Sequence, residues 1–151
     1  MPKQIYQIQI ALVGFKPKIW RRILVPSDLL LSDFHLIIQT TMGWYNCHLH
    51  HFIKNKTFYS IKVPEDDFFW NDSEDIDYKA KKLKIADLLK TIKDKIKYEY
   101  DFGDSWEHDI ILENILPFDD KVKYPVCIKG KMNCPPKTVA VFGAIMIFSK
   151  L

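Results

Sequence analysis

The sequence predicts an α+β domain: a single mixed or antiparallel sheet of about five to six strands, with one main helix packed on one face. Three observations predict it. Several segments alternate apolar and polar residues, one segment has apolar residues at helical spacing, and short turns separate two pairs of strands. The chain has 151 residues, of which 48% are hydrophobic and 27% are charged. That balance is typical of one globular domain with a substantial core.

The first two strands are expected to form an antiparallel hairpin. Ile5 to Val13 alternates as a half-buried strand does. Gly14 and Pro17 indicate a turn, and Ile19 to Val25 predicts a second strand that ends at Pro26.

A helix is predicted directly after this hairpin. Ser32 is a residue type that caps helices, and Gly43 is typical of the position just past a helix end. Between them, apolar residues at 3.6-residue spacing are Phe34, Ile37, Ile38 and Met42.

The second half of the chain predicts four more strands and a short helix. The strands are His48 to Ile53, Thr57 to Val63, Ile96 to Phe102 and Trp106 to Ile115, and the helix is Ile85 to Ile92. Residues 65–77 carry seven acidic residues and residues 79–97 carry eight lysines, a segregation that indicates a solvated surface segment. The order of elements favours an arrangement like the β-grasp.

Composition excludes some classes of protein. The chain has no GxxxxGK[ST], GxGxxG, HExxH or GxSxG motif, so the usual signatures of ATP, dinucleotide, zincin and α/β-hydrolase chemistry are absent. The net charge of +3 is too small to indicate nucleic-acid binding by itself. Cys47, Cys127 and Cys134 are odd in number and form no CxxC pair, which favours the cytoplasm. Val139 to Phe148 is too short to span a membrane.

Two arginines beside a tryptophan form the first candidate site. Arg21 and Arg22 are adjacent on a strand and therefore point to opposite faces of the sheet. A guanidinium group can pair with phosphate, which would give an anion or nucleic-acid contact. The alternative, which we favour, is that Trp20 and an arginine stem cover the sheet surface.

Histidines and aspartates form the second candidate site. His48 and His50 share one face of a strand, and two imidazoles at that spacing can reach one divalent metal ion. Asp101 and Asp104 flank a turn, and His108 follows on the same face as apolar residues. The set predicts a metal or catalytic site. The alternative is one buried, hydrogen-bonded histidine and two exposed histidines in the HLHHF strand, a structural His108, and aspartates that bind backbone amides of the turn.

Four motifs together resemble a known family. IWRRILVP, MGW followed by HLHHF, YEYDFGDSWEH, and YPVCIKGKMNCPP occur in the order seen in the plasmid open-reading-frame-three-like proteins. Those proteins are named from an Ri-plasmid frame and are also labelled insertion-sequence passenger proteins. The resemblance covers about Ile5 to Pro136. It implies a prokaryotic α+β domain encoded near mobile elements, and it implies no established activity.

The resemblance divides the chain into a domain at 1–137 and an apolar tail at 138–151. Family members continue with Asp-Cys-Gly-Gly and an aromatic-Gly-Tyr, and a one-base shift before the Thr138 codon permits that same ending. We therefore expect that a one-base deletion near the Lys137 codon replaced the family terminus. The alternative is a divergent apolar segment that packs normally. An apolar tail is also a candidate for self-association.

These observations predict a non-enzymatic binding or accessory domain of mobile elements, with protein or nucleic acid as its partner. Its expected surface is formed by the HLHHF strand and the DFGDSWEH hairpin, where Trp44 and Trp106 would supply contact area. Arg21 or Arg22 would supply anion recognition. The alternative is a metal-dependent enzyme in which the histidines and Asp101 or Asp104 hold a water-activating ion. A third interpretation is a purely structural protein with no ligand.

Overall fold

A computed structural model describes residues 4–14, 18–46, 49–61, 75–103 and 105–131. The strands are β1 (Gln4–Leu12), β2 (Ile19–Pro26), β3 (His50–Lys54), β4 (Thr57–Ser60), β5 (Ile76–Asp77), β6 (Lys95–Tyr100), β7 (Trp106–Pro117) and β8 (Val126–Lys131). The helices are α1 (Leu31–Met42) and α2 (Ile85–Leu88). The eight strands of the described ranges form one sheet, in the order β5-β4-β3-β6-β7-β1-β2-β8.

The sheet is mixed and larger than predicted. The described neighbours pair in antiparallel fashion except β4 and β5, which are parallel at one edge. The α+β class is confirmed, but the expectation of five to six strands is wrong, because β5 and β8 add a strand at each edge. The described residues form two helices, the main helix α1 and the short α2, which lies where a short helix was predicted. β1 is antiparallel to both of its neighbours. The observed sheet therefore does not have the expected β-grasp-like arrangement.

The predicted hairpins are confirmed. β1 pairs with β2 from Ile5 opposite Pro26 to Leu12 opposite Ile19, and Tyr100 lies opposite Trp106 where β6 and β7 meet at the second turn. The side chains that alternate onto one face of β1, β6 and β7 are buried together in the core. Two-residue periodicity therefore identified the inner face of these strands correctly.

Helix α1 packs on the inner face of the sheet and reaches from β3 to β2. Near its start, Phe34 stacks on Phe52 of β3 with ring centroids 5.9 Å apart. Near its end, the Thr41 carbonyl accepts a hydrogen bond from Arg21 Nε of β2 at 3.0 Å. Because most of its side chains are buried, α1 is a core element that connects distant strands.

The start of α1 differs from the prediction. The residue before its first turn is Leu30, which makes no side-chain cap, and Ser32 lies inside the helix. The backbone amide of Leu31 instead donates to the Leu83 carbonyl at 2.8 Å. A tertiary contact thus satisfies an amide that a capping side chain would otherwise bind.

The predicted end of α1 is confirmed. Gly43 has φ 80° and ψ 25°, a left-handed conformation that glycine adopts without steric cost. The Trp44 amide then donates to the Gln39 carbonyl at 2.7 Å, which completes a Schellman motif. This closure fixes the position at which Trp44 enters the core.

The segment from β5 to β6 packs beside α1. Tyr78 is fully buried, and α2 ends at Leu88, before the predicted end at Ile92. The Leu88 carbonyl accepts a hydrogen bond from Lys54 Nζ. The eight lysines of residues 79–97 are exposed, as expected for a solvated segment. Across the described part of the chain, neither helix has the length or apolar character to cross a bilayer.

Candidate functional site

Two chain segments meet at the end of the sheet where β3 and β7 begin and β6 ends. We call this end the mouth and define it by residues 44–46, 49–50, 100–103 and 105–106. Three of its non-glycine residues have left-handed backbones, with φ 56° at Asn46, 63° at Asp101 and 56° at Ser105. Such conformations cost free energy and cluster where the surrounding structure holds a functional geometry.

A closed ring of four hydrogen bonds lies beneath the mouth. Asn46 N–H donates to Gln39 Oε1, and Gln39 Nε2 donates to the Tyr98 hydroxyl, both at 2.7 Å. The Tyr98 hydroxyl lies 2.7 Å from His35 Nδ1, and His35 Nε2 lies 2.7 Å from Asn46 Oδ1. The ring joins α1, the α1–β3 connection and β6, so it fixes the backbone of the mouth from inside the core.

The partners in this ring determine the state of His35. Asn46 Oδ1 can only accept, so Nε2 of His35 carries the proton. Nδ1 then accepts from the Tyr98 hydroxyl, which requires a neutral imidazole. Burial lowers the pKa of His35 to about 4 and raises the pKa of Tyr98 well above its ordinary value. Both groups are therefore neutral around pH 7.

His50 lies against the ring. Its imidazole stacks on that of His35, with centroids 3.6 Å apart and planes inclined by 9°. Its Nε2 lies 2.5 Å from the hydroxyl of Tyr78. Burial, reinforced by the neighbouring His35, lowers the pKa of His50 to about 2. This imidazole is neutral and held on two sides, so its observed contacts are those of a structural group.

The expected core-facing position of His108 is confirmed, because its side chain is 0% exposed. Trp44 Nε1 donates to His108 Nε2 at 3.2 Å, and His108 Nδ1 donates to the Tyr98 carbonyl at 3.2 Å. Burial lowers the pKa of His108 to about 4. Both ring nitrogens are thus engaged inside the protein.

The predicted metal ligands are brought together only in part. His50 and His108 lie on strands to either side of Tyr98, with centroids 5.7 and 5.3 Å from its ring. His48 and Asp104 lie outside the described residues. Within the described ranges, no three His, Cys, Asp or Glu side chains converge as metal ligands. A divalent metal therefore stays a prediction from the sequence.

Asp101 contributes to the mouth through its backbone. Its amide donates to the Leu49 carbonyl at 2.8 Å, and its carbonyl accepts from the Ser105 amide at 2.5 Å. The residue is buried. These bonds join the β6–β7 turn to the start of β3, which explains how two segments distant in sequence form one surface.

The two predicted contact tryptophans differ in exposure. Trp44 is buried and packs on Trp106 and Tyr100 with ring centroids 5.3 and 5.4 Å apart. It therefore stabilises the core and does not supply contact area as we expected. Trp106 is half-buried beside it.

The arginines lie on opposite faces of β2, as predicted, and each has partners inside the protein. Arg22 binds Glu113 through two hydrogen bonds of 2.6 and 3.0 Å, and its guanidinium group lies 4.9 Å from the centroid of the Trp20 ring. Arg21 donates to the carbonyls of Thr41 and Trp20. The contact between Arg22 and Trp20 fits the alternative in which an arginine stem and Trp20 cover the sheet surface. Both guanidinium groups have partners within the protein, which that alternative did not include.

Sequence reasoning missed several residues of this region. His35, Gln39, Tyr78 and Tyr98 form the buried network, and Tyr45 and Leu49 are exposed beside it, at 41% and 42%. One signal was present. His35 and Gln39 are four residues apart on α1, directly beside the apolar stripe, so they project from one helix face.

A second polar group lies on the outer face of the sheet near the mouth. His51 Nε2 is 2.7 Å from Glu99 Oε1, and the Ser105 hydroxyl donates to the other oxygen of Glu99. The His51 ring packs between Phe58 and Phe102, with centroids 4.9 and 4.6 Å away. These contacts attach the β6–β7 turn to β3 from the outer side.

Comparisons with known proteins agree with this fold. A family model described as plasmid pRiA4b ORF-3-like protein matches residues 4–148, a range that extends past the motifs ending at Pro136. An uncharacterized protein y4hQ from Sinorhizobium fredii is 31% identical over 143 residues, which cover 92% of this chain and 68% of the relative. A protein of unknown function, MM3350 from Methanosarcina mazei Go1, has a solved structure with TM-score 0.75 and 30% identity. The match covers 97% of this chain and 80% of that one.

Proposed function

Because the chain belongs to the family of plasmid pRiA4b ORF-3-like proteins, we propose that it is a non-enzymatic accessory domain of mobile genetic elements that binds a protein partner at the mouth. The observation that carries this proposal is the exposure of Tyr45 and Leu49 beside a mouth whose backbone is fixed by the buried ring. We call these two side chains the rim.

The rim combines accessible apolar area with a rigid support. Tyr45 lies between Trp44 and Asn46, which are held by the tryptophan–histidine bond and the ring. The Leu49 carbonyl accepts the Asp101 amide. A backbone that is already held in place loses little conformational entropy on binding, which favours association. A tyrosine also offers a hydroxyl for a hydrogen bond at a protein interface.

The contacts of the charged residues favour a protein over a nucleic acid as partner. Arg21 and Arg22, the side chains best suited to phosphate, bind backbone carbonyls and Glu113. Binding phosphate would require Arg22 to exchange a two-point ion pair for a similar one. The gain in free energy from such an exchange is small.

The neutral histidines favour binding over acid–base chemistry. A general base near neutral pH needs a pKa close to that pH. His35, His50 and His108 have pKa values of about 4, 2 and 4 because they are buried. Their hydrogen bonds hold the mouth in shape, which is the role that a rigid binding surface needs.

The proposal is tested by replacing both rim residues. Two tagged chains are used to capture proteins, the wild type and the double variant Tyr45→Ser/Leu49→Ser. The proteins come from a prokaryotic host that carries the mobile genetic element. We expect a specific protein to be retained at least about tenfold less by the variant, since loss of two central apolar contacts costs several kcal/mol of binding. Unchanged circular dichroism and thermal midpoint would show that the fold is intact.

Ile92→Ser is the matched control, because Ile92 is 49% exposed and lies in the loop before β6. It should retain the partner like the wild type. Equal capture by all three chains would overturn the rim proposal. Loss of the partner after nuclease treatment would favour nucleic acid instead, and near-stoichiometric metal in the purified wild type would favour the enzyme alternative.

A further inference from the structure

An open groove lies at the opposite end of β7 from the mouth. Its volume is about 840 Å³, which is within the range of about 300–1,000 Å³ typical of ligand sites. It lies where β7 runs into the β7–β8 connection, and Leu24 of β2 forms part of its wall. The lining residues are Leu24, Leu116, Pro117, Phe118, Asp119, Asp120, Val122 and Tyr124.

The groove has an apolar and aromatic wall. Phe118 is 44% exposed, and its ring lies 5.5 Å from that of Tyr124 with the planes inclined by 46°. The Tyr124 hydroxyl accepts the Asp119 amide at 3.3 Å, which ties the wall to the connection. Such a pair of rings can receive an aliphatic chain and can also attract a cation to a ring face.

Among the described residues that line the groove, two are charged and both are acidic. Asp119 and Asp120 are exposed, and Asp119 Oδ1 accepts the Lys121 amide at 2.9 Å, which holds that carboxylate in place. Lys121 and Lys123 belong to the same connection but do not line the groove. The groove therefore combines apolar surface with negative charge, a combination complementary to an arginine or lysine beside aliphatic side chains.

We propose that this groove docks a basic, apolar peptide segment of a partner protein. The segment places aliphatic side chains against Leu24, Leu116 and Phe118 and its cationic group between the rings and Asp119 or Asp120. This inference extends the proposed function to a second contact. It does not depend on the rim, because the rim lies at the other end of β7.

The test uses two capped peptides, leucine-arginine-leucine and leucine-citrulline-leucine. Citrulline has nearly the shape of arginine without its charge. In titrations of the full chain followed by NMR, we expect the arginine peptide to shift signals of Phe118 and Tyr124 saturably. The citrulline peptide should bind at least about fivefold more weakly, since it lacks the charge-assisted contact.

Asp119→Asn/Asp120→Asn should weaken the arginine peptide about as much as citrulline does, while asparagine keeps an oxygen for the Lys121 amide. The charge-matched control is Asp33→Asn/Glu107→Gln, whose residues do not line the groove. This control and Tyr45→Ser/Leu49→Ser should bind the peptide like wild type. Equal affinity for both peptides, or no saturable shift, would overturn the proposal and leave the rim proposal untouched.

Discussion

Among single residues, Tyr98 has the widest influence on the buried polar groups. Its hydroxyl accepts from Gln39 and donates to His35, and its carbonyl accepts from His108. Buried polar groups are costly when they lose a partner, because no water replaces it. The three contacts make this one tyrosine the shared partner of α1 and β7.

The first prediction concerns that hydroxyl. Tyr98→Phe keeps the ring but leaves two buried groups, on His35 and Gln39, without their partner. We expect the free energy of unfolding to fall by about 2–4 kcal/mol, measured by urea denaturation near pH 7. Tyr78→Phe is the control. It removes one hydroxyl contact, with His50, so it should cost about half as much. Equal losses of unfolding free energy in the two variants would contradict the ring of hydrogen bonds.

Among the elements, β2 joins α1 to β8. Arg21 extends from β2 to the end of α1, and its stem passes over Gly130 of β8. A Cβ at Gly130 would lie 2.8 Å from Arg21 Cδ and 3.2 Å from the Trp20 carbonyl oxygen. Because Gly130 has no side chain, Arg21 can extend over it and reach the end of α1.

The second prediction follows from that close approach. Gly130→Ala should destabilise the fold by about 1–3 kcal/mol, because either the arginine stem or the β2–β8 pairing has to shift. Faster hydrogen exchange of the β8 amides would locate the effect. Gly103→Ala is the control, since its Cβ would meet only Asp101 Oδ1 at an ordinary 3.5 Å. Similar losses in both variants would contradict this account.

The elements differ in how well the sequence predicts them. The strongly alternating strands β1, β6 and β7 and the glycine end of α1 were predicted, because local periodicity and a special backbone conformation determine them. β5 has two residues and β8 contains Lys129 and Gly130, so neither has a local strand pattern. Their existence depends on pairing with β4 and β2, which are distant in sequence.

The site was predicted less well for the same reason. The sequence indicated the location of the mouth and the burial of His108. It did not indicate that His35, Tyr78 and Tyr98 meet there, because α1, the segment after β5, and β6 come together only through the tertiary fold. Trp44 does not have the expected contact role because it is buried. The anion-binding role considered for the arginines loses support because both guanidinium groups have partners within the protein.

For the whole molecule, stability should depend on pH through three buried histidines. In the unfolded chain their pKa is about 6.5, whereas burial lowers it to about 4 for His35 and His108 and about 2 for His50. Below pH 6.5 the unfolded chain therefore binds protons that the folded chain does not. The contribution to the free energy of unfolding is complete above that pH. It is lost as pH falls to about 4 for His35 and His108 and to about 2 for His50.

The third prediction gives the size of this effect. Three histidines that bind protons only when unfolded should lower the free energy of unfolding by about 3 kcal/mol between about pH 6 and pH 5. Urea denaturation at a series of pH values measures it. His108→Gln should reduce the slope by about one third, whatever its effect on absolute stability. A stability that stays constant over this interval would contradict neutral buried histidines.

The ring beneath the mouth is homodromic. The Asn46 amide donates to Gln39, Gln39 to Tyr98, Tyr98 to His35 and His35 back to Asn46, so the four bond dipoles follow each other around a circle. Dipoles arranged in this way polarise one another while largely cancelling at a distance. All four groups are neutral and each satisfies its neighbour, so the polar ring can remain inside an apolar core without a counter-charge.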